Sequence, residues 1–423
     1  NTPIADIASQ DTLLVVGSNV RHEQPILSHK INQASKAGAV VMSINPVDYD
    51  SVFPVDHALL SGDIVFGLAQ VAKCLLPDHA HEVTSFDRIE VSDQAKIIAE
   101  KLSQAQSGAL LLGEFTISHP QASLIRALAY LIEKHSSVTV GFMTIGPNTA
   151  GAYAAGAVPH YSPNQSGEAL SGRDAKALLT DKPAKAVIVL GAELEFDCAY
   201  SSAALKALSE ASLVICLSSF VTPAMQEYAD FILPIAPFSE NSGTYVNADG
   251  IWQSFSAATI PQGQAKPGWK VLRALAGFMM LDDFDYKTDH QVINELKDLL
   301  GDVSANTTPK LALPAVIEPN QNLLRLANWP LYRVDPLVRH ASALQAMHDS
   351  EPQAIKLSMA TAKQYNLVEG DLTTARQEGC EIKLPLVIDD RVSHGVVMIA
   401  SACEETRGFG QASQSIELIQ EGS

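Results

Sequence analysis

The sequence predicts an α/β protein built on parallel sheets, followed by a small C-terminal β-barrel. Three observations carry that expectation. Short apolar runs that stop at glycine or asparagine alternate with amphipathic stretches over the first two thirds of the chain. Beyond Pro352 the apolar runs shorten and are divided by turns rich in Gly, Asp and Glu. The 423 residues are 47% apolar and 18% charged, which is material for several cored domains and a poor match to a disordered or coiled-coil chain.

Taken in order, Thr12–Val16 reads as a buried strand that ends at Gly17-Ser18-Asn19. Pro25 stands where the first turn of a helix tolerates it, and Ile26, Leu27, Ile31 and Ala34 follow at helical spacing. Val40–Ile44 is the next strand, so strand, helix and strand form a βαβ unit with a right-handed crossover and parallel strands. Ala109–Leu112, a helix over about 121–134 and Val138–Phe142 repeat the pattern. Ala186–Leu190, a helix over about 199–209, Leu213–Leu217 and Phe231–Ile235 give it again. Such repeats make Rossmann-like sheets with helices on both faces, whose ligands bind outside the C-terminal strand ends. Those ends carry Gly17, Asn45, Gly113, Gly191 and Ser218, and Val15, Ile44, Leu111, Val189 and Ile215 are the expected central core.

Thr144–Gly172 loses apolar periodicity and is expected to be a long, closely packed loop of small residues. Helices are expected after Pro267 and over about 290–300, and 302–319, punctuated by Pro, Gly, Ser, Asn and Thr, reads as a linker. In the tail, Ile355–Met359, Leu372–Thr374, Ile382–Ile388 and Val396–Ala400 are the barrel's strands. The division expected is 1–301 for the α/β region, 302–351 for a linker and family-specific segment, and 352–423 for the barrel. Within the α/β region two subdomains are expected, about 1–145 plus 255–301, and 146–254.

Net charge is −18, a sign that repels phosphate backbones and anionic membranes, so nucleic acid is not an expected partner. No uninterrupted apolar run is long enough to span a bilayer. The five cysteines contain no Cys-x-x-Cys pair, which speaks against an iron–sulfur cluster or structural zinc held by this chain and suits a reducing compartment. The chain starts at Asn1 and enters a core strand within a dozen residues, which suggests a piece of a longer protein. Asp78-His79-Ala80-His81-Glu82 has metal-ligand residue types but no convergent further ligands, and reads as a solvated loop. Arg21-His22-Glu23, beside Asn19, reads as a surface ion-pair cluster. No dinucleotide fingerprint, Walker motif or Gly-x-Ser-x-Gly elbow is present.

Several motifs together resemble the molybdopterin oxidoreductase superfamily. They are Gly17-Ser18-Asn19, Asn45-Pro46 with Gly62-Asp63 downstream, 228–234 (YADFILP), and 240–250 (ENSGTYVNADG) with Gln253. The terminal β segment is similar to that superfamily's dinucleotide-binding domain. Within it, Gly146-Pro147-Asn148, Leu190-Gly191-Ala192-Glu193 and above all 332–345 (YRVDPLVRHASALQ) resemble the large iron–sulfur subunit of bacterial NADH-quinone oxidoreductase, respiratory complex I. The resemblance implies iron–sulfur clusters in an upstream portion absent from this sequence. It also implies peripheral-arm complex I subunits as partners, a peripheral place at the cytoplasmic face of the inner membrane without insertion, and an assembly that couples NADH oxidation to quinone reduction.

Active members of the superfamily hold pterin dinucleotides, whose phosphates need backbone N–H groups and Arg or Lys at the strand ends. Here Glu114 follows Gly113, and Glu193 stands where the resemblance implies Asn-Pro. A carboxylate about 4 Å from a phosphate costs on the order of 4 kcal/mol at an effective dielectric near 20. The expectation is therefore a vestigial cleft, lined by Gly17, Ser18, Asn19, Asn45, Gly62, Asp63, Gly113, Glu114, Gly191, Glu193, Glu240, Gly243, Thr244 and Asn247. No catalytic residue, no metal and no cofactor are expected in this stretch. Glu240, Asn241 and Thr244 read as turn-forming and hydrogen-bonding residues. The alternative is a fragment of a molybdenum or tungsten bis-pterin enzyme such as a formate dehydrogenase, and the β-rich tail is compatible with a partner-binding module under either reading.

Overall fold

The structure, a computed structural model, describes residues 2–76, 86, 88–159, 161–163, 172–181, 184–300, 313–314, 316–347 and 353–420. The His-x-His stretch at 78–82 and residues 302–312, 315 and 348–351 of the expected 302–351 segment lie outside them.

Five parallel strands form the first sheet: β1 (Thr12–Val16), β2 (Val40–Asn45), β3 (His57–Leu60), β4 (Gly108–Leu112) and β5 (Val138–Phe142), in the order β3-β2-β1-β4-β5. The connections are α1 (Val20–Glu23), α2 (Pro25–Lys36), α3 (Ile64–Leu75), α4 (Asp93–Gln104), α5 (Glu114–Ile117) and α6 (Ala122–Lys134). Every residue of β1 is buried, because helices cover both faces of the sheet. Leu14, Val16, Met42 and Ile44 face the core of α3, α4 and α6, while Leu13, Val15 and Val41 face Leu27, Ile31 and Ala34 of α2. Side chains at successive strand positions point to opposite faces, so one continuous apolar run serves both layers. Asp63 caps α3 by accepting from the Phe66 N–H at 2.9 Å, which fixes where that layer begins. The chain leaves β1 toward β2 on one side and returns to β4 on the other, which opens a crevice between the ends of β1 and β4.

A short helix, α7 (Thr149–Ala154), forms inside the stretch expected to be loop. Then come β6 (Ala186–Leu190), α8 (Leu194–Asp197), α9 (Ser201–Ser209), β7 (Leu213–Ser218), α10 (Pro223–Tyr228) and β8 (Phe231–Pro234), whose strands form a parallel sheet in the order β6-β7-β8. Val189, Val214 and Cys216 pack with Leu208, Met225 and Tyr228. On the opposite face Ile188 and Phe231 are 55% and 57% exposed, and Ile215 is half-buried rather than central. The reason is the second layer: this sheet is densely covered on one face only. A hairpin of β9 (Gly243–Val246) and β10 (Trp252–Phe255) follows. The helix α11 (Gly268–Phe278) begins beside Leu190 and Ile235, and Ile235 bridges to Lys266, so the chain after the hairpin rests on the second sheet. The expectation had grouped 255–301 with the first sheet. The last helix of this part, α12 (Asp289–Leu300), buries none of its residues.

A six-stranded curled sheet ends the chain, in the order β11-β15-β12-β14-β13-β16. Its strands are β11 (Leu324–Leu326), β12 (Ile355–Leu357), β13 (Leu372–Gln377), β14 (Cys380–Ile388), β15 (Val396–Met398) and β16 (Glu417–Gln420). Between β11 and β12 lie α13 (Pro336–Arg339) and α14 (Ser342–Gln345), and after β12 comes α15 (Met359–Gln364). The residues entering β16 return to β11: Arg325 N–H donates to Gln414 O and Ile416 N–H to Leu323 O, both at 2.9 Å. Thus β11 closes the curl, although it falls within 302–351, expected to be a linker and family-specific segment ahead of the barrel. The run Ile355–Met359 is strand only to Leu357, because Ser358 accepts from the Thr361 N–H and starts α15.

Candidate functional site: two carboxylate-filled strand ends

At the crevice between β1 and β4, Gly17 adopts φ 59°, and a Cβ there would stand 2.6 Å from the Thr116 methyl. Gly113 is equally constrained, since a side chain would run into Ser18. The two turns can therefore close on one another only with glycine at both positions. Asn45, at the end of β2, accepts from the Ser18 N–H at 2.9 Å and donates to the Ser18 carbonyl at 3.2 Å. The donors that would face a ligand here are engaged by Glu23. Its carboxylate accepts from Ser18 Oγ at 2.7 Å, from the Asn19 N–H, and from the Glu114 N–H at 3.2 Å. Glu23, expected in a surface ion-pair cluster, is thus the residue that organises the crevice; it stands four residues after the N-cap residue Asn19 and reaches back to its N–H.

Burial pushes the Glu23 carboxyl above its ordinary range in spite of these three donors. Glu114 rises further, to about 7, through burial first and the Glu23 charge second. Tyr49 is raised as well, by burial and then by both carboxylates, and its hydroxyl is buried with no hydrogen-bond partner. The Tyr49 ring stacks on Phe115 at 6.4 Å. A cleft of about 570 Å³ opens beside this group, with Asn19, Tyr49 and Glu114 on one wall and Trp329, Tyr332 and Arg333 on another.

The second loop, after β6, begins at Gly191 with φ 65° and leads to Glu193, which is 0% exposed. Both oxygens of Glu193 meet basic side chains: the Arg339 Nε lies 3.0 Å from Oε2, and His340 Nε2 lies 2.7 Å from Oε1. Arg339 also reaches Asp197 at 2.7 Å and lies over the Phe196 ring at 5.2 Å, and His340 stacks on Phe220 at 4.4 Å. The segment that delivers this pair is built to hold it. Asp335 caps α13 by accepting from the Leu337 and Val338 N–H groups at 2.8 and 3.2 Å. Gln345 donates to the Tyr332 and Val338 carbonyls at 2.8 and 2.9 Å. The motif at 332–345 is therefore a clamp on the second strand end, a role its sequence alone did not disclose.

The remaining expected residues sit elsewhere. Gly62 packs against Val396, and Asp63 accepts from the Asn320 N–H at 2.9 Å, so this pair joins the first sheet to the terminal one. In the hairpin region Thr244 meets Ser254 at 2.9 Å and Gly243 lies under the Phe255 ring, while Asn247 accepts from the Asp249 and Ile251 N–H groups. Glu240 accepts from the Gln262 N–H at 3.1 Å. The local contacts of the expected residues are thus those of the first crevice, the loop after β6, the junction with the terminal sheet and the hairpin region. Among the described residues, no group of three or more His, Cys, Asp or Glu is placed to hold a metal ion. None of the described helices is long and apolar enough to cross a membrane.

A family model described as molybdopterin oxidoreductase matches residues 1–278. The mitochondrial NADH-ubiquinone oxidoreductase 78 kDa subunit of Neurospora crassa is 24% identical over 75% of this chain and 36% of its own length. The NADH-quinone oxidoreductase G 2 subunit of Rhizobium meliloti is 23% identical over 94% of this chain and 53% of its own. The F420-dependent formate dehydrogenase subunit alpha of Methanocaldococcus jannaschii is 21% identical over 75% and 54%. Among solved structures, acetylene hydratase from Pelobacter acetylenicus superposes with a TM-score of 0.67 at 16% identity, covering 97% of this chain and 74% of that one. The chain is homologous to the G 2 and 78 kDa subunits over most of its own length, and it spans about a third to a half of the curated relatives it matches.

Proposed function

The chain belongs to the molybdopterin oxidoreductase family, and from that membership we propose that it is a structural, cofactorless portion of an NADH-quinone oxidoreductase subunit. One observation carries the reading. Glu193, at the second strand end, is buried and bound by Arg339 and His340 of the chain's own 332–345 motif. A pterin dinucleotide does not fit these residues. Its phosphate would have to displace Glu193 from the Arg339 guanidinium and the His340 ring and leave a buried carboxylate without a partner, which costs several kcal/mol. At the first crevice the Ser18, Asn19 and Glu114 donors already serve Glu23. No reaction step is assigned to these residues; their work is to hold strand ends and the 332–345 segment in one fixed arrangement.

On this reading the electron-relaying iron–sulfur clusters belong to an upstream portion of a longer subunit. The partners are other subunits of the complex I peripheral arm, and the place is peripheral, at the cytoplasmic face of the inner membrane. The homology to a formate dehydrogenase subunit supports the rival, a molybdenum or tungsten enzyme. Metal analysis and oxidised-pterin fluorescence of the full-length subunit separate the two. Iron without molybdenum, tungsten or pterin is expected. Molybdenum or tungsten near one per chain, with pterin, would overturn the proposal.

A further inference from the structure

We propose that Glu23 and Glu114 form a proton-binding site that latches the end of β1 to the end of β4, closed when the pair holds one proton and loosened when both carboxylates are charged. The latch is a backbone contact. The Glu114 N–H donates to Glu23 Oε2 at 3.2 Å, while the same carboxylate holds Ser18 Oγ at 2.7 Å and the Asn19 N–H. Glu23 thereby adds a tie between α1 and α5, 91 residues apart in sequence, to the backbone bonds that already join the strand ends, from the Gly113 N–H to the Val16 carbonyl at 2.9 Å and from the Phe115 N–H to the Gly17 carbonyl at 3.1 Å. Three donors mark Glu23 as the ionised member. Glu114 contributes its backbone to the latch and lines the same cleft as Glu23, so its carboxyl is the member left to carry the proton. The buried, unpartnered Tyr49 hydroxyl beside the pair is a further donor that an extra negative charge there would draw in.

Other charged groups around the cleft are otherwise engaged or stand off the pair. Arg21 is bound to Asp50 at 2.9 Å and Arg391 to Asp389 at 2.7 Å. His22, Asp48, Arg333 and Lys356 complete the charged lining. Among the described residues neither Glu23 nor Glu114 has an ion-pair partner, so nothing neutralises a second charge. Glu114 accordingly titrates near 7, where the proton is exchanged under ordinary conditions.

The latch rests on the reading that no dinucleotide occupies the first crevice, since a phosphate there would take the same three donors; metal analysis tests that reading and the following experiment tests the proton, so the two fail separately. Amide hydrogen exchange is followed in peptides covering residues 17–24 and 113–118 of the full-length protein in its assembled complex, at about pH 6 and about pH 8, after correction for intrinsic rates. Protection at Asn19 and Glu114 is expected to fall about tenfold in the wild type, the equivalent of one pKa unit of coupling. Glu114→Gln is expected to keep its protection at both values, and Glu23→Gln to lack it at both. Equal pH responses in the wild type and in Glu114→Gln would overturn the proposal. Should Glu23→Gln not fold, infrared spectroscopy supplies the second readout. A protonated-carboxyl band that disappears with rising pH near neutrality and is missing in Glu114→Gln is expected, and its absence from the wild type would also overturn the latch.

Discussion

Glu193 and Arg339 cannot be changed one at a time without leaving a buried charge alone. Their side chains are 1% and 6% exposed, so Arg339→Ala should cost about 3–5 kcal/mol, whereas Glu193→Leu combined with Arg339→Met should recover most of that loss. Urea midpoints of the single and double variants check this; a single variant as stable as the wild type would show the pair to be dispensable. If the cleft is vestigial, Glu193→Gln should weaken the fold yet leave NADH-quinone activity of the correctly assembled complex unchanged. Glu114 makes a different demand at the same scale. Its folded-state pKa stands at about 7 against an ordinary 4.5, so between those values the folded chain binds more protons than the unfolded one. Stability therefore falls as pH rises through that window and levels off above it. Glu114→Gln should flatten the slope and gain most over the wild type above about pH 7, which calorimetry across that range would detect.

The strands of the first sheet were legible because burial on both faces writes an unbroken apolar run: Thr12–Val16 appears in the fold with the bounds its sequence suggests. The same logic fails for Ile215, whose strand looks equally apolar but lies in a sheet covered on one face, and periodicity cannot distinguish one covering layer from two. The two positions should respond differently to truncation. Leu14→Ala, at 0% exposure between helical layers, is expected to cost about 2–5 kcal/mol, and Ile215→Ala, half-exposed, about 1 kcal/mol, as measured by thermal unfolding. Glycines at strand ends also announced the crevice, because only a residue without a Cβ lets Gly17 pass Thr116 and Gly113 pass Ser18. What no spacing announced were the partners in the site. Glu193 meets Arg339 from far along the chain, and a contact of that range depends on how the 332–345 segment returns to β6, which local propensity does not encode.

At the scale of the whole chain, the curled C-terminal sheet depends on a strand that lies outside the tail in which it was expected. β11 has three residues, and its middle one, Arg325, is 1% exposed. Its guanidinium donates to Gln377 Oε1 at 3.2 Å, to the Gly410 carbonyl at 2.9 Å and to Ser401 Oγ at 3.0 Å, and it stacks over Phe409 at 4.9 Å. Burial without a carboxylate partner lowers its pKa to about 10, so the cation is held by carbonyl and amide dipoles and by the aromatic face. A fragment beginning at 352 lacks this strand. The inner edge of β15 and the residues entering β16 would then be unpaired, and the polar groups that receive Arg325 would face a void, each costing about 1–3 kcal/mol. A fragment beginning at 316 retains the closure. The longer piece is accordingly expected to unfold in one cooperative thermal transition with near-ultraviolet circular dichroism, and the shorter one to show neither. Within the intact chain, Arg325→Leu should destabilise the same sheet by removing the cation while leaving its acceptors buried. Equal cooperativity in the two fragments would mean that residues 352–423 close on themselves, and that β11 only leans against a sheet already complete.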